Sequence, residues 1–280
     1  MLIDLRKIIR ALPIKRGKAF LIRLLVFVLP FYRYDNINVF GQIIKIDLKD
    51  NATIGLYLNF GKIILEKEIF TLLEEIVERE DIYWDVGSNI GYYTLFLSTK
   101  CNVTAFEPNP KLYSYLKDSV SSYQNVSVLN FALSKIDEET KFYLDEDSSD
   151  LSSLIDNGLR RNITVKSRSI DSLILKSGFK PPTIIKIDVE GFEYFVLDGF
   201  KSINQFIPLV IFEYVPQFGV KINKTLDDII NLLGPEWSFF RFMANGKISA
   251  NYQEIKGATN NYLAIHKNFN RLNKIEKIII

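Results

Sequence analysis

The segment Asp85-Val86-Gly87-Ser88-Asn89-Ile90-Gly91 places an acid, two glycines and two small polar residues in one turn, and Glu107 follows further along the chain. The apolar Ile82-Tyr83-Trp84 leads in, and a helical pattern from Tyr92 to Ser98 leads out. A strand, a glycine turn, a helix and an acid at the tip of the next strand make half of a nucleotide-binding βαβ unit. Gly87 lets the backbone approach a ligand with no Cβ in the way, and Gly91 lets the helix start pack closely on the strand. Glu107 offers a carboxylate that can accept both hydrogen bonds of a ribose diol.

The spacing argues against a dinucleotide. That class needs three glycines, G-x-G-x-x-G, so that backbone amides and a helix N-terminus face a pyrophosphate. Only two glycines stand here, four apart, and Asp85 just before them would repel a diphosphate. A carboxylate there suits a cationic ligand with an amino group and a ribose, and S-adenosylmethionine has both. A structural glycine turn in a non-catalytic or NAD-type nucleotide-binding protein is the alternative reading.

Four longer segments carry a resemblance to the FkbM-type S-adenosylmethionine-dependent methyltransferases. They are Trp84-Asp-Val-Gly-Ser-Asn-Ile-Gly-Tyr-Tyr-Thr94, Ala105-Phe-Glu-Pro-Asn-Pro110, Ile185-Lys-Ile-Asp-Val-Glu-Gly-Phe-Glu193 and Ile211-Phe-Glu-Tyr214. The third is the most specific of them. Weaker echoes are Asn130-Phe-Ala-Leu-Ser134 and Ser169-Ile-Asp-Ser-Leu173, and the likeness runs from about Phe40 to His266. Ser88 departs from the small alanine more usual in that turn. The resemblance implies O-methylation of a hydroxyl on a sugar, a glycan or another small-molecule acceptor.

Ligands of open α/β sheets lie at the carboxyl ends of the strands. That puts Asp85, Glu107, Asp188 and Glu213 on one rim, where like charges raise each other's pKa unless a cation relieves them. The expected cofactor contacts are Asp85 and Gly87 at the methionine end, the backbone of Gly87, Ser88, Asn89 and Gly91 beside it, Glu107 on the ribose, and Asn109 and Ala132 near the adenine. Asp188 belongs where the transferred methyl meets the acceptor, as a general base or an orienter of the hydroxyl. Glu190 and Glu213 are its candidate catalytic helpers, although Glu190 and Glu193 could equally charge the first turn of the next helix. No metal is expected to be required; Asp188 and Glu213, with Glu190, are the oxygen ligands open to Mg²⁺ or Ca²⁺. The sequence holds one histidine and one cysteine, which disfavours zinc and excludes an internal disulfide framework. Lys186, between Ile185 and Ile187, reads as the partner of a nearby acid.

The positioning elements follow from periodicity. Helices are expected at Glu66 to Glu78, with Ile69, Leu72, Leu73 and Ile76 on one face, at Lys111 to Val120, from an Asp171 cap to Lys176, around Phe192 to Leu197, and at Leu226 to Leu233. Strands are expected at Ile82 to Val86, Asn102 to Glu107, Val126 to Phe131, Thr183 to Asp188, Leu209 to Phe212, Trp237 to Phe242 and Asn261 to His266. The last two, with only a loop at Ala244-Asn-Gly246 and a polar stretch between them, must pair antiparallel. The fold class is therefore α/β: a Rossmann-like class I methyltransferase sheet, mostly parallel, of seven strands with one antiparallel. Residues 67–280 form that domain, with an inserted hairpin or lid at about 134–168. Residues 1–66 form an N-terminal helix and β-hairpin extension, with strands at Asn38 to Leu48 and Thr53 to Phe60 joined at Lys49-Asp50-Asn51.

With 280 residues, 48% apolar composition and a net charge of +2, the chain can bury one large core and has no field that demands nucleic acid. Phe20 to Phe31 is strongly apolar and follows a run of basic residues, but Arg23 interrupts it and Pro30 ends it. That length is about half of the ~20 residues a membrane span requires. A core-capping helix and a basic interfacial helix over residues 15–31 are both open readings. A cytoplasmic enzyme, peripheral to a membrane in the second case, is the expectation. Tyr92, Tyr93, Tyr194 and Tyr214 are candidate lining for the acceptor cleft.

Overall fold

Alternation along the central strands sends apolar side chains to both faces of one sheet, and helices cover each face. The computed structural model describes residues 5–13, 16–61, 66–145, 147–156, 161–206, 208–243, 247–253 and 258–279. In chain order these contain α1 (Leu5–Ala11), α2 (Lys18–Val28), β1 (Tyr34–Val39), β2 (Gln42–Asp47), α3 (Asn51–Leu58), α4 (Lys67–Ile76), β3 (Ile82–Val86), α5 (Tyr92–Leu97), β4 (Asn102–Phe106), α6 (Pro110–Ser119) and β5 (Val126–Leu129). Then follow β6 (Ala132–Leu133), β7 (Glu138–Leu144), β8 (Arg161–Arg168), α7 (Ile170–Leu175), β9 (Ile184–Ile187), α8 (Glu193–Asp198), α9 (Ile203–Phe206) and β10 (Leu209–Tyr214). The chain closes with α10 (Pro216–Ile222), α11 (Leu226–Leu233), β11 (Trp237–Met243), β12 (Lys247–Ser249), β13 (Asn260–His266) and α12 (Leu272–Ile275).

The main sheet runs β12-β11-β13-β10-β9-β3-β4-β5. β3, β4, β5, β9 and β10 are parallel neighbours, and β13 lies antiparallel between β10 and β11. Strand order reverses between β3 and β9, so the crevice beyond Val86 and Ile187, which pair in register, is the topological switch point. Trp84, Val86, Ile185 and Ile187 feed the core on one face, with Phe212, Val196 and Ile229. Tyr83, Ile184 and Ile211 feed the other face, against Ile69, Leu72, Leu73 and Ile76 of α4. Those four α4 side chains are fully buried, as their spacing predicts, and each contributes up to about 1.5–3 kcal/mol relative to exposure.

Three expectations need correction. The sheet has eight strands, because Lys247–Ser249 adds a short antiparallel edge to β11 with only Ile248 buried, too brief a run to read as a strand. The hairpin of the extension turns at Phe40-Gly41, not at Lys49-Asp50-Asn51. Both residues sit at positive φ, 50° and 86°, as a two-residue hairpin loop demands, and the Gly41 amide donates to Asn38 Oδ1. Thr53 to Phe60 is not a strand either. Asp50 caps a helix there, accepting from the Ala52 amide, and Thr53, Ile54, Leu56 and Tyr57 become its buried residues. A smaller difference is at α7, where Ser169 rather than Asp171 is the cap. The Ala244-Asn-Gly246 turn and residues 157–160 of the insertion lie outside the described residues.

The extension is not a loose appendage. Ile22 and Val26 of α2 join Ile37, Ile46, Ile54 and Tyr57 in a cluster with Leu95 of α5 and Leu116 of α6. Asp47, buried on β2, accepts from Arg33 at 2.8 Å and from Lys111 of α6 at 2.5 Å. The insertion forms a second small sheet in which β8 pairs with β7 and β6. One carboxylate joins extension to insertion: Asp50 Oδ1, besides capping α3, accepts from the Ser149 amide at 3.0 Å, while the Asn51 amide donates to the Asp147 carbonyl at 2.8 Å. Replacing Asp50 with alanine removes the cap and this latch together. The expected outcome is a loss of about 1 kcal/mol of stability and faster proteolytic cleavage within 147–156 than elsewhere; an unchanged cleavage pattern would contradict the latch.

Candidate active site

Turn geometry after β3 explains its glycines. Gly87 has φ +80°, and a Cβ there would lie 1.8 Å from the Asp188 carbonyl oxygen, so the loops after β3 and β9 touch only because position 87 has no side chain. A Cβ on Gly91, at φ +84°, would meet Leu116 Cδ1 at 2.1 Å, which makes it the contact that seats α5 on α6. The amides of Gly87 and Ser88 both donate to the Phe106 carbonyl at 3.1 Å, tying the turn to the end of β4.

That turn presents its acids in different ways. Asp85 is buried, and its Oδ2 accepts from the amide and hydroxyl of Thr94 at 3.0 and 2.6 Å, so it caps α5 from the strand beneath. Burial pushes its carboxyl up to about 6, against the Thr94 hydrogen bonds and the Lys186 charge. Glu107 is also buried; its two oxygens accept from the Asn89 amide at 2.7 Å and the Asn109 amide at 2.8 Å. Burial raises it to about 7, with both amide bonds opposing. Asn89, at φ 51°, keeps its side-chain Oδ1 buried with no hydrogen-bond partner. An unmet acceptor beside a buried carboxylate fits a ligand that brings hydroxyl or ammonium donors, which S-adenosylmethionine does.

After β9 the chain supplies Asp188, Glu190 and Glu193. Lys186 is 2% exposed, and its Nζ donates to Asp188 Oδ2 at 2.6 Å while lying 4.6 Å from the Tyr93 ring centre. Burial pulls the ammonium pKa down, but Asp188 and Glu66 outweigh it, so Lys186 stays charged above its ordinary value. This lysine is thus the partner of a nearby acid, as its place between two isoleucines suggests. Glu193 is the acid that holds the turn before α8: its Oε1 accepts from the amides of Val189 and Gly191. Glu190 does not. At φ 54° it faces the crevice, where carboxylate oxygens of Asp188, Glu190 and Glu213 lie within 4.8 Å of one another. Burial first, and then Asp188 and the other acids, push Glu190 up to about 9 and Glu213 up to about 10. At neutral pH these two hold protons, and a divalent cation in their place would have to displace them.

Two cavities meet at Gly87, Asn89, Asp188 and Glu190. The narrow one, about 50 Å³, runs past Glu107, Pro108, Ala132 and Leu133 under Ser149, Asp150 and Ser152 of the insertion. The wide one, about 470 Å³, is bounded by Asp85, Ser88, Tyr92, Tyr93 and Lys186, and across from them by α3 through Asn51, Gly55, Leu56 and Asn59. Ser153 holds the insertion to this rim by donating to the Glu190 carbonyl at 2.8 Å.

Of the sequence-expected residues, the structure brings Asp85, Gly87, Ser88, Asn89, Glu107, Ala132, Asp188 and Glu190 to the cavity walls, and Gly91 and Glu213 next to them. Asn109 is different: its side chain caps α6, accepting from the Lys111 amide. Tyr92 and Tyr93 line the wide cavity, whereas Tyr194 and Tyr214 line a separate small one beside Gly219. The sequence reading missed the α3 wall and Glu66, which accepts from Tyr93 Oη and Asn261 Nδ2, whereas the Ser149–Ser152 roof falls within the insertion it expected as a hairpin or lid. The D-N-A-T stretch at Asp50, a helix cap signature, was the available signal for the first.

The methyltransferase FkbM domain family matches residues 85–241. The hexuronic acid methyltransferase AglP of Haloferax volcanii is 35% identical over 154 residues, covering 53% of this chain and 62% of that protein, so the likeness spans less than two thirds of its length. Among solved structures, a putative methyltransferase from Streptococcus mutans in complex with S-adenosylhomocysteine aligns with 73% of this chain and 99% of its own, at 11% identity and a TM-score of 0.43. A TehB-like SAM-dependent methyltransferase from Corynebacterium glutamicum aligns with 77% and 94%, at 13% identity and a TM-score of 0.44.

The raised carboxyls fix a direction of pH dependence. Glu107 and Glu193 at about 7, Glu190 at about 9 and Glu213 at about 10 all exceed the ordinary 4.5, and Asp85 at about 6 exceeds 3.8. Each binds its proton more tightly folded than unfolded, so folding takes up protons and stability falls as pH rises through 4.5 toward 9. Asp47 and Asp81 lie below 3.8, held there by Arg33 and Lys111 and by Arg271 against burial, and their contribution is lost only in acid. The ligand-free chain should therefore melt highest near pH 5 and several degrees lower at pH 9 in a thermal scan; a flat or rising profile would contradict this reading.

Proposed function

This chain belongs to the FkbM family of S-adenosylmethionine-dependent methyltransferases, and on that premise we propose that it methylates a hydroxyl of a sugar, glycan or similar small-molecule acceptor. The observation that carries the proposal is the shared wall of the two cavities. Asp188 borders both, one leading to Glu107 and the other to the Tyr92 and Asn59 surface. S-adenosylmethionine supplies the methyl group as a sulfonium cation. Glu107 would hold the ribose hydroxyls, with Asn89 Oδ1 as a further acceptor, while Asp85 and the Gly87–Gly91 backbone flank the amino acid end.

Asp188 accepts the proton of the incoming hydroxyl or holds that hydroxyl in line. Lys186 is its positioning residue, anchoring Oδ2 from beneath the sheet surface. Much of the rate would come from alignment in a closed crevice. Glu190 and Glu213, protonated at neutral pH, can donate hydrogen bonds without adding negative charge beside Asp188.

The wide cavity supports a hydroxyl-rich acceptor. Asn51 and Asn59 offer amides that donate and accept, and Tyr92 offers a ring face for the C–H surface of a sugar. Its charge separates it from a uronate site. Lys186 is the one cation among the described lining residues, and it is committed to Asp188, while Glu66, Asp85 and Asp150 also border the space. An acceptor carboxylate would find repulsion there, so a neutral sugar hydroxyl is the better fit than the hexuronic acid that the Haloferax relative is named for.

Asp188→Asn should keep S-adenosylhomocysteine affinity within about threefold while turnover, read as S-adenosylhomocysteine release with a panel of neutral and uronate glycans, falls by about 10²–10⁴. Retained turnover would remove Asp188 from the chemistry, and uronates outperforming neutral sugars would overturn the acceptor reading.

A further inference from the structure

A helix that buries one apolar face normally shows a polar one to water. α2 does not. Ile22 and Val26 are 0% and 1% exposed in the cluster shared with β1, β2 and α3, yet Phe20, Leu24, Phe27 and Val28 are exposed on the opposite side, Phe27 by 81%. Phe31, on the short turn that follows, extends the same stripe at 72% exposure, so the residues recur at helical spacing. The stripe lies in a cationic field. Arg6, Lys7, Arg10, Arg16, Lys18 and Arg23 surround it in sequence, and no acid occurs from Leu5 to Tyr34. Some of these cations have internal duties: Arg6 donates to the Tyr34 carbonyl and Lys18 to the Arg10 carbonyl. Lys7, Arg16 and Arg23 are exposed.

We infer that this face docks on an anionic lipid bilayer, with the phenylalanines in the acyl boundary and the exposed cations on the headgroups. Charge decides the occupant. A patch with three large aromatics, free of acids and rimmed by Arg and Lys, matches an interfacial helix, for which area and attraction to anionic lipid add. No helix among the described residues is long and apolar enough to cross a membrane, so the contact is peripheral. The docking face is coupled to the site by position: α2 packs on α3, and α3 is the far wall of the wide cavity. An acceptor presented at a bilayer surface would meet the enzyme on the side that the extension builds.

The test is co-sedimentation of the full chain with vesicles of phosphatidylcholine and phosphatidylglycerol, beside vesicles of phosphatidylcholine alone. Binding to the anionic vesicles that weakens with added salt is expected, with little on the neutral ones. Phe27→Gln with Phe31→Gln, and separately Arg16→Glu with Arg23→Glu, should each lower the bound fraction at least about tenfold, with the thermal midpoint unchanged because all four side chains are exposed. Absence of anionic vesicle binding would overturn the inference, as would full binding by the Phe27→Gln, Phe31→Gln variant. So would a light-scattering mass of two chains that this variant returns to one, which would make the face a contact between copies.

Discussion

Crowding of carboxyl groups at the carboxyl ends of the strands is the constraint on which the site depends. Asp85, Glu107, Asp188, Glu190, Glu193 and Glu213 gather around a single buried ammonium, Lys186. Burial and mutual repulsion lift most of them toward or above neutrality, so beyond the Lys186–Asp188 pair the rim is kept by protons and by hydrogen bonds from the backbone. Thr94 serves Asp85, Asn89 and Asn109 serve Glu107, and Val189 and Gly191 serve Glu193. A cationic cofactor suits such a place because it relieves the repulsion that folding has to tolerate. An anionic dinucleotide would add to it.

The rest of the chain builds walls around that rim. Glycine at 87 lets two loops touch, and the same contact puts Asp188 where both cavities can reach it. The extension and the insertion, remote in sequence, meet over the crevice through Asp50 and Asn51. Asp50 itself is only 7% exposed, and that burial holds its carboxyl above its ordinary pKa against the Ser149 and Ala52 hydrogen bonds. The wide cavity therefore takes part of its wall from residues outside the 85–241 segment that matches the family.

What could be read from sequence divides along physical lines. Gly87, Glu107, Asp188 and the α4 stripe were legible because local backbone geometry or a single periodicity demands them. Segment 53–60 was misread as a strand: Thr53, Ile54 and Tyr57 favour extended structure by type, but one cap at Asp50 and packing against Ile22 and Leu116 decide for helix. Nothing local announced that α3 would face Tyr92 across a cavity, since that is a tertiary fact. Asn109 carries a further, local duty: an Asn before Pro110 caps a helix on local grounds alone. Tyr194 and Tyr214 were assigned by residue type, and the turn of α8 and the end of β10 carry them to another pocket.

The most direct test is calorimetric titration of the purified chain with S-adenosylhomocysteine, beside NAD⁺ and ATP, with Glu107→Ala as the paired variant. The account expects micromolar binding of S-adenosylhomocysteine alone, weakened at least about tenfold in Glu107→Ala, the effect of losing hydrogen bonds to a charged group. Binding of NAD⁺, or S-adenosylhomocysteine binding that ignores the loss of Glu107, would contradict it.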